Sequence, residues 1–109
     1  MRNVLIAACA LAFNLSANAE FKDGNKLLSE INGDNHYSRG VAMGYVMGVA
    51  DAIGGALACM PSNLTGGQLI DMTKQYLENN PSVRHYSADS IIVAMLGQAW
   101  PCKKRGSGI

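Results

Sequence analysis

"SRGVAMGYVMGVADAIGGALACMP", residues 38–61, decides how this chain folds. Gly40, Gly44 and Gly48 repeat the small-xxx-small ladder of packed transmembrane helices. Residues 40–58 also approach the ~20 apolar residues that a membrane span needs. Asp51 argues against lipid, because a carboxylate near the bilayer centre costs about 2.5 to 3.5 kcal/mol and the glycines contribute almost nothing favourable. In a water-soluble fold the same spacing has a use. Gly40, Gly44, Gly48, Ala52 and Ala56 recur every fourth residue, so on a helix they form one ridge of minimal side chains, flanked by Val41, Tyr45, Val49 and Ile53. Each glycine lowers helix propensity by about 1 kcal/mol relative to alanine, so tertiary packing must offset the ridge. The expected structure is a central helix buried nearly all round, with Gly44 and Gly48 as structural positions and Asp51 as a hydrogen-bonded carboxylate, for instance capping a neighbouring helix.

The flanking sequence supplies the helices around it. "FKDGNKLLSEING" reads as a short helix with Leu27, Leu28 and Ile31 inward and Gly33 at its end, and "DNHYSR" reads as a polar loop. After Pro61, Thr65 and Gln68 are spaced as a capping box, with Leu64 and Leu69 placed as its staple. Leu69, Met72, Thr73, Tyr76 and Leu77 then repeat at helical spacing up to a turn at Asn79, Asn80 and Pro81. A last helix opens with Ser87 as N-cap, Asp89 at its positive end and Tyr86 stapled onto Ile91. Its apolar side is Ile91, Ile92, Met95, Ala99 and Trp100, and Pro101 stops it. No strand-like alternation competes, so the expected class is all-α, a small four-helix bundle-like domain.

"MRNVLIAACALAFNLSANAE" has the layout of a secretory signal peptide: Arg2, an apolar core, then Ala17-Asn18-Ala19 before the cut. An N-terminal anchor would be short for a span, and a lipoprotein cut before Cys9 would leave too small a hydrophobic region. The expected organisation is a signal peptide over 1–19, one helical domain over 20–102 and a basic, disordered tail over 103–109. Export to the periplasm discards Cys9 and leaves Cys59 and Cys102 to pair in an oxidising compartment. A metal site joining them to His36 and His85 lacks CxxC or HxxxH spacing. Loss of Arg2 leaves eight basic residues against eight acidic ones, a balance without the basic footprint of nucleic-acid binding.

Nothing in the chain is spaced for catalysis. Asp51 could be imagined in a triad with His36 or His85, but nothing local orients it, and both cysteines are expected to be oxidised. Gly66-Gly67 opens a helix but lacks the lysine of a phosphate-binding loop. The expected protein is no enzyme and uses no metal or other cofactor.

"GYVMGVADA", "CMPSNLTGGQL" and "YLENNPSVRHYSADSIIVAMLGQAWPC", in this order and spacing, resemble the resistance-associated (Rap/Tai-type) immunity proteins, which protect Gram-negative bacteria from type VI secreted peptidoglycan amidases. The resemblance runs over about residues 24–102. The second cysteine pair common in that family would fall at Ile31 and Ala42, where this chain has none. The resemblance implies a small periplasmic all-α homodimer whose exposed loops plug the substrate groove of the amidase. Polar loops with aromatic and arginine side chains are the natural contact candidates. These are Asn35, His36, Tyr37 and Arg39 in the first loop, and Asn79, Asn80, Arg84, His85 and Tyr86 in the last. Dimerisation falls to the apolar surplus of the central helix. The alternative is a periplasmic acid-stress chaperone resembling the HdeA type, against which the modest acidic content counts.

Overall fold

The computed structural model describes residues 21–103. The expected signal peptide, its cleavage after Ala19, Cys9 and the tail beyond Lys103 lie outside the described residues. Within them are four helices, α1 (Gly24–Ile31), α2 (His36–Ile53), α3 (Gly66–Asn79) and α4 (Ala88–Ala99), with a 3-10 turn at Pro81–Val83. The fold is all-α. No helix among the described residues is long and apolar enough to cross a membrane.

Local chemistry sets the helix ends. The extended Asp23 accepts a bond from the Lys26 N–H at 2.8 Å and starts α1. Asn35 does the same for α2, its side-chain oxygen accepting from the Ser38 N–H at 2.8 Å. That cap corrects the expected polar loop: His36, Tyr37 and Arg39 ride on the first turn of α2. At the other end the helix stops at Ile53, because Gly54 and Gly55 turn the chain away and Gly55 takes φ +82°. Ala56 therefore lies beyond the helix and is no part of the ridge.

The capping box of α3 forms, with Thr65 Oγ1 accepting from Gln68 N–H at 3.1 Å and Gln68 Oε1 accepting from Thr65 N–H at 2.9 Å. Thr65→Ala should cost about 1 kcal/mol, lowering the midpoint of thermal unfolding by roughly 5 °C. At α4 Ser87 holds the N-cap position, but its hydroxyl pairs with that of Ser90 at 2.7 Å rather than with a backbone N–H.

The core joins Leu27 and Ile31 of α1, Ala42, Val46, Ala50 and Ile53 of α2, Leu69 and Leu77 of α3, and Ile91, Ile92, Met95 and Leu96 of α4. Thr73 is buried among them and satisfied locally, its hydroxyl donating to the Leu69 carbonyl at 2.7 Å. Ile31 and Ala42, where the family's second cysteine pair would fall, are both core positions filled by packing.

The ridge itself overturns the expectation of an enclosed central helix. Helix α2 buries one stripe only, at the three- and four-residue spacing of Ala42, Val46, Ala50 and Ile53. All three other helices pack against it, and they supply too little surface to surround an 18-residue helix. Gly40, Gly44 and Gly48 are exposed, with no atom within 4 Å of the place a Cβ would occupy. Met43 and Met47 flank them at 37% and 38% exposure. Asp51 is exposed too, and its carboxylate makes no hydrogen bond among the described residues, where a hydrogen-bonded structural carboxylate is the expectation.

Cys59 and Cys102 form a disulfide with Cα atoms 4.9 Å apart. Beside it the Cys59 N–H donates to the Trp100 carbonyl at 2.8 Å. The bridge thus fastens the segment after α2 to the segment after α4. Both sulfurs are thereby withdrawn from metal binding and from nucleophilic chemistry.

Candidate functional site

The candidate contact residues divide into two groups that the fold keeps apart. The first follows the C-terminal end of α1; the second meets its N-terminal end, where the Asn25 N–H donates to the Arg84 carbonyl at 3.0 Å. Eight residues of helix separate them, about 12 Å along the axis.

In the first group, each side chain has a different task. Asn35 is consumed as the cap of α2. Arg39 donates to the Gly33 carbonyl at 2.7 Å, and its other terminal nitrogen lies 3.3 Å from Nδ1 of His36. The pair borders a hollow of about 300 Å³ with Ile31, Gly40, Met43 and Ile70. Tyr37, at 81% exposure, stands seven residues before Gly44 and so shares the outward side of α2 with the glycines.

The second group is more ordered. Asn79 ends α3, and Asn80 is spent on structure, its side chain donating to the Tyr76 carbonyl at 2.8 Å. The 3-10 turn then presents Arg84, His85 and Tyr86 in succession. The His85 and Tyr86 rings lie against each other with centroids 4.2 Å apart. Tyr86 is 55% exposed, and with Ile91 it borders an open apolar hollow of about 230 Å³ that Tyr76, Val83 and Ala94 also line. Arg84 carries the one buried side-chain polar atom without a partner among the described residues, its Nε. That nitrogen is buried, out of reach of a partner, whereas the His85 and Tyr86 rings are exposed.

What holds this turn was not legible in the sequence. Residues 22–25 run alongside it: the Gly24 N–H donates to the Tyr86 carbonyl at 3.1 Å, and the Ala88 N–H donates to the Lys22 carbonyl at 2.9 Å. Lys22 in turn pairs with Glu30, and its ammonium sits 4.8 Å from the centre of the Tyr45 ring. Burial raises the pKa of the Tyr45 phenol, and the negative charge of Asp89 raises it further against a smaller opposing hydrogen bond, so the group stays neutral at physiological pH. Lys22 belongs to no recognisable motif, and nothing in the sequence links it to Tyr45. The only available signal was Gly24 at the start of a helix, where glycine is unremarkable.

Among the described residues no group of three or more His, Cys, Asp or Glu is placed to hold a metal ion. The candidate residues lie on an ordered turn and on a helix start, and the outer face of α2 is bare. The family model described as Rap1a immunity proteins matches residues 4–102, a span that takes in all four helices and both bridged cysteines. No curated protein matches the chain.

Proposed function

The chain belongs to the Rap1a immunity protein family, and we propose that it binds a type VI secreted peptidoglycan amidase in the periplasm and inhibits it by occluding the substrate groove. Membership makes it an immunity protein directed at a type VI effector. The observation that carries the reading is the family match over residues 4–102, which takes in all four described helices. The finer assignment of the contact surface draws support from the turn of Arg84, His85 and Tyr86, which sets two exposed aromatic rings side by side. Bacteria that direct such an amidase to their own periplasm should survive when they co-express this chain and lyse when they do not. Lysis in both cases would refute the assignment for that amidase.

The same reading includes a homodimer formed through the outer face of α2. A helix that is apolar on every side belongs in an interior. Within one chain α2 buries a single stripe, and Gly40, Gly44 and Gly48 face outward with Val41 and Ala52 on the same side. Bare glycines permit close helix approach, and a second copy of the helix would recover the propensity they forfeit, about 1 kcal/mol each. Replacing both Gly44 and Gly48 by leucine should therefore convert dimer to monomer in sedimentation while leaving helix content intact, since a Cβ added at either position has open space around it within the protomer. A wild-type chain already monomeric at high micromolar concentration would contradict the dimer.

A further inference from the structure

Resting on the reading of residues 84–86 as an effector contact, we propose that residues 22–25 form a positioning clasp that preorganises this turn for its partner.

The clasp is tied to the turn by backbone and to the helices by side chains. Asn25 N–H to Arg84 C=O (3.0 Å), Gly24 N–H to Tyr86 C=O (3.1 Å) and Ala88 N–H to Lys22 C=O (2.9 Å) bond it to both sides of the turn. Asp23 and Ser87 lie opposite each other as an isolated antiparallel bridge. On the other side, Lys22 is fixed by Glu30 of α1 and by the Tyr45 ring of α2, and the Asp23 carboxylate caps α1. Movement of the clasp would have to break contacts to two helices.

The turn closes on itself as well. Val83 N–H donates to Asn80 C=O at 3.2 Å, Arg84 N–H to Pro81 C=O at 3.4 Å, and Tyr86 N–H to Val83 C=O at 3.0 Å. What the turn exposes is the His85 and Tyr86 rings, while the Nε of Arg84 is buried. A turn already fixed has less conformational freedom to lose on binding, so the same contacts yield tighter association. Gly24 admits this closeness: a Cβ there would lie 2.8 Å from the Arg84 carbonyl oxygen. Lys22 to Asn25 thus act through the turn without needing to touch the partner.

Proline substitutions separate the clasp from the fold. Asn25 is exposed at the second position of α1, where no intrahelical partner uses its N–H, so Asn25→Pro deletes the bond to Arg84 at a position a helix tolerates. Ala88 is the first residue of α4 and follows an extended Ser87 (φ −61°, ψ 141°), the conformation preferred before proline, so Ala88→Pro deletes the bond to Lys22. The first readout is amide hydrogen exchange of the free protein, comparing Tyr86 in the turn with Leu77, Ile92 and Leu96 in the core helices. The second is affinity for an amidase that the wild-type chain inhibits. The clasp requires turn exchange to accelerate about tenfold or more with core exchange unchanged, and affinity to weaken about tenfold or more. Unchanged turn protection in both variants overturns it, as does a freed turn that binds with undiminished affinity. If the wild-type chain inhibits no amidase, the proposed function fails instead; the exchange measurement, made without partner, tells the two failures apart.

Discussion

Replacing Cys59 and Cys102 together by serine should lower the stability of the domain by about 4 kcal/mol, the entropy returned to an unfolded chain when a loop of this size is no longer closed. The bridge spans 43 residues of sequence and joins the ends of two helices that meet in the core. For a domain this small a loss of that size is a large share of the total, and the thermal midpoint should fall by roughly 20 °C. Reduction of the wild-type protein with dithiothreitol should reproduce the loss, and the serine variant should not respond to the reductant. An unchanged midpoint in both would mean that helix packing alone secures the ends of α2 and α4. The bond from Cys59 N–H to the Trp100 carbonyl is too small a contribution to replace the bridge.

Gly24→Val is expected to be comparably harmful, at about 3 kcal/mol. An added Cβ would lie 2.6 Å from Cδ1 of Ile91 and 2.8 Å from the carbonyl oxygen of Arg84. Ile91 could swing aside at the expense of core packing, but the carbonyl is backbone and is itself bonded to Asn25. Urea denaturation of the variant measures the cost. The contrast with Gly44 and Gly48 is direct: the same kind of substitution at those positions should leave the protomer's stability within a few tenths of a kcal/mol or raise it. Equal destabilisation at Gly24 and Gly44 would show that the ridge, too, is enclosed within the protomer.

These two glycine environments show where sequence was informative. Helix existence was legible because it depends on local chemistry: the box of Thr65 and Gln68, the apolar periodicity of α3 and α4, and the stop at Pro101 all act within a few residues. The pairing of Cys59 with Cys102 followed from compartment and count. The sidedness of α2 was not legible. A glycine ridge reads the same whether it meets another helix of its own chain or faces outward, and the deciding fact is how much surface the remaining helices can supply. The same holds for Asp51, since a carboxylate within an apolar run reads as a structural, hydrogen-bonded group until the outer face is known, and here it is exposed. The polar run around His36, Tyr37 and Arg39 reads as a loop because it masks the cap at Asn35, and in the structure the cap prevails.

The candidate site was legible by residue type and not by geometry. Arg84, His85 and Tyr86 stand out as an arginine and two rings beside a proline turn, whereas the segment that holds them lies some sixty residues earlier and carries no motif. Backbone pairing of that kind leaves no trace in side-chain chemistry, except for one position that tolerates nothing larger than glycine.

The central claim is that this body exists to occupy an enzyme's groove. Its most direct test is titration of the oxidised chain, begun after Ala19, into a panel of type VI peptidoglycan amidases while peptidoglycan cleavage is followed. At least one amidase should be inhibited stoichiometrically with a Kd in the nanomolar range, and simultaneous alanine substitution of Arg84, His85 and Tyr86 should weaken that inhibition about a hundredfold or more without changing the thermal midpoint. Undiminished cleavage by every amidase at tenfold excess of the chain would contradict the account.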